Sequence, residues 1–297
     1  MKRSILDTIV SYLLSGGLAC AILVLGLSLI YWQAPIGPVA AEEEHWPVPF
    51  ELDGSLLTAR AAIVYDMLGE KVLYAKNADE ALPLASLTKL IVAHTVLEYR
   101  EPETPVVITA EAVAPEGDWG FWVGEQWPLG ELLRFSLIAS SNDAIAAAAE
   151  VLGSGSLAAI NSKARELGLK ETQVNNPTGL DESPTIAGGY GSARDMALLT
   201  ASFLQHHPTF FEATAAPSVT IAQVGGRTLT ATSTATPLLS IPGLIGAKTG
   251  YTDLAGGNLV AAFDLELGRP LIVAVLGSTR EGRFADVRLL LEAARKK

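Results

Sequence analysis

Strand-forming sequence lies at both ends of the globular part of this 297-residue chain, with a long helical stretch between the two blocks. Residues 61–65 and 71–74 are short apolar runs separated by a polar segment containing Gly69, which suits a hairpin. Residues 218–224 and 227–232 flank Gly225-Gly226, a two-residue hairpin signal. Residues 244–249, 257–265 and 270–277 follow, with Gly268 in the last turn, and are expected to pair as an antiparallel meander. From residue 129 to about 168 the apolar period becomes helical, through Leu132, Leu133, Leu137 and Ile138 and then the runs 144–152 and 157–167. Residues 192–205 add another helix, and 280–296 close the chain with an apolar stripe of Val287, Leu290, Leu291 and Ala294. This order predicts one sheet, split in sequence by a helical insertion, with a cleft between the lobes. The expected class is α/β in the α+β sense: an antiparallel sheet flanked by helices, with a mostly helical second lobe over about residues 100–215.

The N-terminal segment bears on compartment. Lys2 and Arg3 precede residues 11–32, which carry no charge and as a helix would span roughly 33 Å, the thickness of a bilayer core. Glu42, Glu43 and Glu44 follow. The charge rule then places residues 1–10 in the cytoplasm and the bulk of the chain outside, as a single-pass protein of the cell membrane. The competing reading is a cleaved signal peptide, since Val39-Ala40-Ala41 offers small residues before the acidic run. Residues 33–50, with four prolines, read as a linker, and 51–297 as the folded domain.

Composition excludes more than it assigns. A net charge of -11 without clustered Lys and Arg argues against nucleic acid. The one cysteine, Cys20, falls in the apolar run, so an intramolecular disulfide, a cysteine metal site and a catalytic thiol are all excluded. His45, His94, His206 and His207 show no metal-ligand spacing, and neither a metal nor a cofactor is expected. Gly-x-Ser-x-Gly is absent, and residues 242–249 lack the glycines of a phosphate loop.

Three short stretches carry chemistry. Ser86 and Lys89 stand three residues apart where an extended segment broken by Pro83 gives way to the apolar run Leu87, Leu90, Ile91 and Leu97. On one helical face the amine lies beside the hydroxyl, and a lysine shielded from water can lose its charge and take the serine proton. Ser140-Ser141-Asn142 offers a second hydroxyl, able to pass a proton to a leaving nitrogen, and a carboxamide able to hold the lysine or a carbonyl. Lys248-Thr249-Gly250 ends a strand, where Lys248 adds positive charge and Gly250 lets substrate lie close to the backbone.

In this order the stretches resemble the three motifs of penicillin-binding proteins and serine β-lactamases. Within that superfamily the chain resembles the D-alanyl-D-alanine carboxypeptidases of peptidase family S11 over about residues 60–293. Further strings that carry the likeness are Ala61-Ala62-Ile63-Val64-Tyr65-Asp66, Asn176-Pro177-Thr178-Gly179-Leu180, Ser192-Ala193-Arg194-Asp195-Met196-Ala197 and Lys248-Thr249-Gly250-Tyr251-Thr252.

The resemblance implies a β-lactamase/transpeptidase-like fold. It makes Ser86 the nucleophile towards a peptidoglycan pentapeptide ending in D-Ala-D-Ala, with Lys89 as general base. Ser140 would relay the proton, Asn142 would orient Lys89 and the substrate amide, and Lys248 would give electrostatic support. The N–H groups of Ser86 and Tyr251 would form the oxyanion hole. Thr249 and Arg283 would meet the substrate carboxylate, and β-lactams would be covalent inhibitors.

Tyr251 stands where the family often has histidine, and Ser233-Thr234-Ala235-Thr236 replaces an asparagine-containing string. The β-rich C-terminal domain of many relatives is not expected after the final helix, which leaves attachment to the N-terminal helix. Glu171 and Asn175 have the spacing of the deacylating glutamate motif of class A β-lactamases, but they precede the carboxypeptidase string and read as the approach to a strand. A class A-like β-lactamase and a catalytically silent wall-binding or sensor protein are the alternative readings. Trp119, Phe121, Trp122 and Trp127 either rim the cleft or pack a loop.

Overall fold

The structure, a computed structural model, describes residues 49–117, 119–223, 225–266 and 268–296. The expected membrane span and cytoplasmic segment lie outside the described residues, as does all of the linker but Pro49 and Phe50. Among the described residues no single helix is long and apolar enough to cross a membrane.

Alternation along the strands builds the layers. β1 (Ala61–Asp66) sends Ala61 and Ile63 to one face and Ala62 and Val64 to the other, and all four are fully buried. β2 (Lys71–Lys76) pairs with it as the expected hairpin, with a bulge at Val64/Tyr65. At the other end of the chain β10 (Leu244–Thr252), β11 (Gly256–Asp264) and β12 (Pro270–Ser278) form the meander. β1 closes the two blocks into one antiparallel sheet by pairing with β12, Ala61 opposite Leu276, to give the order β10-β11-β12-β1-β2. Both faces are covered, which is why β11 and β12 read as almost unbroken apolar runs rather than as alternating ones.

One face carries α7 (Gly282–Arg295), whose Val287, Leu290, Leu291 and Ala294 are the buried stripe. Phe50 stacks on Tyr74 on this side and donates its N–H to Leu73 O, so the folded part includes a residue assigned to the linker. The other face carries the helical lobe. α1 (Thr88–Tyr99) packs against α2 (Leu129–Ala139), α3 (Asn142–Glu150), α4 (Ser156–Glu166) and α5 (Ala193–His206), while α5 lies on β1, β11 and β12. Every residue from Thr88 to Val96 is buried, so α1 is the central helix and meets solvent only at its last turn. The short α6 (Pro208–Glu212) follows α5 directly.

β8 (Ser218–Ala222) and β9 (Thr228–Thr232) form the expected hairpin, but as a separate two-stranded sheet against α2. Only its Val219 and Ile221 face is buried, enough to cover a helix but not to join a sheet buried on both sides. Small pairings escape the sequence pattern because they are only two or three residues long. They are β3 (Leu82–Pro83) and β6 (Gln173–Val174), each paired with β7 (Gly189–Gly191), and β4 (Pro105–Val107) with β5 (Gln126–Pro128).

The two chain ends are locked by Asp286 of α7. Its carboxylate, buried, accepts the N–H groups of Thr58 and Ala59 at 2.9 and 3.0 Å and the Ser278 hydroxyl at 2.6 Å. Asp286→Ala strands these donors, and we expect a loss of about 2–3 kcal/mol in urea unfolding. An unchanged midpoint would show that the lock carries no stability.

Candidate active site

The site begins with a strained turn. After β3, Leu84 donates its N–H to Gly189 O at 2.9 Å, and Asn258 of β11, fully buried, donates Nδ2 to Pro83 O at 2.8 Å. The chain then turns through Ala85, which holds φ at +50°, into a 3₁₀ turn at Ala85–Leu87 that leads straight into α1. A residue with a Cβ in this region costs about 1–3 kcal/mol and persists only where its surroundings fix it. Two glycines do so. A Cβ on Gly179 would stand 2.0 Å from Ala85 O. One on Gly250 would stand 2.8 Å from Leu84 O and 3.2 Å from Ser86 N. Only glycine lets the 179 loop and β10 close on the turn from either side.

Ser86, half-buried on this turn, has its Oγ 2.8 Å from Nζ of Lys89. Lys89 is fully buried, and its other neighbours are Asn142 Oδ1 at 2.8 Å and Thr178 O at 2.6 Å. It has no ion-pair partner among the described residues. Burial without a counter-charge pulls its pKa down to about 7. A neutral amine has two N–H donors and one lone pair, and the three neighbours match that set. In that form the donors can go to Asn142 and Thr178 and leave the lone pair facing the Ser86 hydroxyl, whereas the charged form donates to all three.

Ser140 and Asn142 sit where α2 hands over to α3. Ser140 ends α2 in a left-handed conformation, φ +67°, and Ser141 caps α3 by accepting the Ala144 N–H at 3.1 Å. The sharp corner turns Ser140 Oγ toward Lys248, whose Nζ donates to it at 2.9 Å and to Thr249 O at 2.9 Å. Asn142 is itself held, with Nδ2 donating to Glu116 O at 2.6 Å. Lys248 is fully buried in β10, and burial, with the charges of Lys89 and Arg283, holds its pKa well below the ordinary lysine value.

The cleft over this group has a volume of about 690 Å³ and is lined by Ser140, Asn142, Trp119, Asp181, Tyr251 and Arg280, among others. Thr249 is buried, and its hydroxyl donates to Thr234 Oγ1 at 2.6 Å, so the departing Ser233 to Thr236 string does reach the site. Arg283 lies below the cleft, buried, donating Nη1 to Gly250 O at 2.6 Å, and burial lowers its pKa to about 10. The cation at the cleft itself is Arg280, exposed, with its guanidinium 3.8 Å above the Tyr251 ring.

Of the aromatic cluster, Trp119 lines the cleft, Phe121 and Trp127 are core, and Trp122 is exposed under Arg227. Glu171 is exposed and does not line the cleft. Thr178, Glu116 and Arg280 were not identified from the sequence. The first two act through backbone carbonyls, which no residue pattern announces, and Arg280 has only its nearness to Arg283 as a signal.

A serine hydroxyl hydrogen-bonded to a buried lysine, faced by a second serine and lysine across a cleft, is the arrangement of a serine acyl-transfer site on a two-lobed α/β fold. Comparison narrows this. Residues 50–280 match the family described as D-alanyl-D-alanine carboxypeptidase, and the chain belongs to that family, peptidase family S11. It is 33% identical over 246 residues to the D-alanyl-D-alanine carboxypeptidase DacF of Bacillus subtilis, covering 80% of this chain and 62% of the relative. It is 31% identical over 228 residues to DacB2 of Mycobacterium tuberculosis, covering 75% and 77%. The match to DacF thus spans less than two thirds of that relative's length.

Among solved structures, the D-alanyl-D-alanine carboxypeptidase of Mycobacterium tuberculosis superposes with a TM-score of 0.74 at 28% identity, covering 85% of this chain and 95% of that one. Penicillin-binding protein D2 of Listeria monocytogenes in its ampicillin-bound form gives 0.71 at 30% identity, covering 82% and 99%.

Gly179→Ala tests the strained turn. A methyl group pressed on the Ala85 carbonyl, at a residue with φ +77°, should cost about 2–4 kcal/mol of stability in denaturant unfolding. A neutral substitution would mean that the 179 loop does not brace Ser86.

Proposed function

We propose that this chain is a serine D-Ala-D-Ala carboxypeptidase that removes the terminal D-alanine from peptidoglycan stem peptides. The observation that carries the reading is the placement of Lys89 Nζ 2.8 Å from both Ser86 Oγ and Asn142 Oδ1 in a buried site. Ser86 Oγ attacks the carbonyl carbon of the last peptide bond while its proton passes to Lys89. The N–H groups of Ser86 and Tyr251 receive the developing oxyanion, donors that gain most as charge builds in the transition state. As the C–N bond breaks, the leaving nitrogen takes a proton through Ser140, whose hydroxyl Lys248 holds. Water then hydrolyses the ester on Ser86 and frees the shortened peptide.

Arg283 is proposed to act on the substrate carboxylate through β10, by its bond to Gly250 O, with Thr249 beside it and Arg280 as the exposed partner. β-Lactams are proposed to acylate Ser86, as the ampicillin-bound Listeria neighbour supports. The exposed position of Glu171 argues against a deacylating glutamate of the class A β-lactamase kind. Attachment to the cell membrane through residues 11–32, with the catalytic unit outside, belongs to the same proposal.

Two outcomes follow. Ser86→Ala should abolish both D-alanine release from a diacetyl-lysyl-D-Ala-D-Ala substrate and covalent labelling by a fluorescent penicillin; labelling that persists would remove Ser86 as nucleophile. The second concerns pH. Because Lys89 must be neutral to accept the proton and titrates near 7, penicillin acylation should rise about tenfold per pH unit below 7 and level off above it. A rate that falls across pH 6 to 8 in stopped-flow measurements would contradict Lys89 as the base.

A further inference from the structure

The histidines that share no ligand spacing in the sequence are brought together by the fold. His94 lies in the middle of α1, fully buried, with Glu98 one turn later on the same face at the solvent edge. His207, half-buried, stands between α5 and α6. One ring nitrogen each of His94 and His207 and a carboxylate oxygen of Glu98 lie within 4.8 Å of one another, and the nitrogen atoms left unpartnered are His94 Nδ1 and His207 Nε2. Both nitrogen atoms are buried, and neither has a hydrogen-bond partner among the described residues. His94 Nδ1 is 3.4 Å from Glu98 Oε1 but does not make a hydrogen bond to it. Buried polar atoms are almost always paired, so two converging on one carboxylate point to something that belongs between them. The remaining nitrogen of His94, Nε2, lies 2.9 Å from Ser202 Oγ, an outer contact of the kind that fixes the ring and tautomer of a ligating histidine.

We propose that His94 Nδ1, His207 Nε2 and Glu98 Oε1 form a site for one borderline divalent transition-metal cation, zinc by preference. Two imidazoles and a carboxylate are a zinc donor set, with a fourth position left for water, whereas magnesium and calcium take oxygen ligands. Neighbouring ligands around zinc lie about 3.3 Å apart, so the set draws in on binding. His207, half-buried at a helix junction, is the more exposed of the two rings, and Glu98 at the edge marks the way in. Lys163 Nζ contacts Glu98 Oε2 at 2.5 Å and so leaves Oε1 available, while Glu166, 3.0 Å from the same ammonium, offsets its charge.

The bound cation would act as a staple. α1 starts at the Ser86 turn and carries Lys89. α6 runs into the 3₁₀ turn Ala213–Ala215, where Thr214 Oγ1 accepts the N–H of Ala247, next to Lys248, at 2.8 Å. A metal joining His94 to His207 ties the helix of one lysine to the segment that steadies the strand of the other.

The test uses the full chain, stripped with EDTA and dialysed, then titrated with zinc chloride by calorimetry and thermal unfolding. One zinc per chain is expected, with the melting temperature raised by about 5 °C or more at a hundredfold excess over Kd and no rise with magnesium or calcium. His207→Ala and Glu98→Gln should each lose the zinc-induced shift, measured against the same variant in EDTA, since both residues also make contacts of their own. His206→Ala should keep it. Cobalt in place of zinc should give the visible absorption of a tetrahedral centre with nitrogen ligands. Failure to bind zinc stoichiometrically, or binding that survives both His207→Ala and Glu98→Gln, would overturn the site.

Discussion

Two lysine side chains are buried completely in this protein, and neither forms an ion pair among the described residues. Placing an ammonium in such a position is costly unless it gives up its proton or is ringed by oxygen atoms. The site does both. Lys89 has a hydroxyl, a carboxamide oxygen and a backbone carbonyl around it, and Lys248 has a hydroxyl and a carbonyl. A carboxylate in either place would hold the lysine charged and remove the base. The absence of acidic partners therefore keeps the amine reactive, and the neutral oxygens keep it in place.

Those oxygens come from distant parts of the chain: the α2–α3 corner, the 179 loop, β10 and the turn before α1. Their convergence explains where backbone strain is found. Ala85 and Ser140, both with positive φ, are the two such non-glycine residues that touch the chemistry, one preceding Ser86 and the other being the serine that faces Lys248. Each is held by neighbours that have little freedom of their own. Gly179 and Gly250 clamp the first, and the Ser141 cap of α3 fixes the second. Close packing thus braces the backbone where a displacement of a few tenths of an ångström would separate serine from lysine.

Much of this was legible in the chain itself, and the boundary is physical. Patterns that live within one element came through: the Ser86 to Lys89 spacing at a helix start, the hairpin about Gly69, and the stripe Val287, Leu290, Leu291, Ala294. The single split sheet also came through, because apolar runs at both ends had to cover the same helices. What did not come through depends on atoms without a residue signature or on contacts across the fold. Thr178 contributes only its carbonyl, so any residue there would look the same. Arg280 and Arg283 are three apart on one turn, and only the fold shows that the first faces the cleft while the second lies beneath it. His94 and His207 are more than a hundred residues apart and meet only because α5 returns along α1.

The pairing of β1 with β12 has a consequence for how the enzyme comes into being. Ala61 cannot find Leu276 until almost the whole polypeptide has been made, so the pairing that joins the two strand blocks is of long sequence separation, the kind that is slow to form. Until then Asn258 is not in position to hold Pro83, and β10 is not there to press on the turn before Ser86. A half-synthesised chain carries Ser86 and Lys89 but not the strands that bury them. The strand order thus ties the completed surroundings of Ser86 to a pairing that exists only once the chain has been made through Leu276.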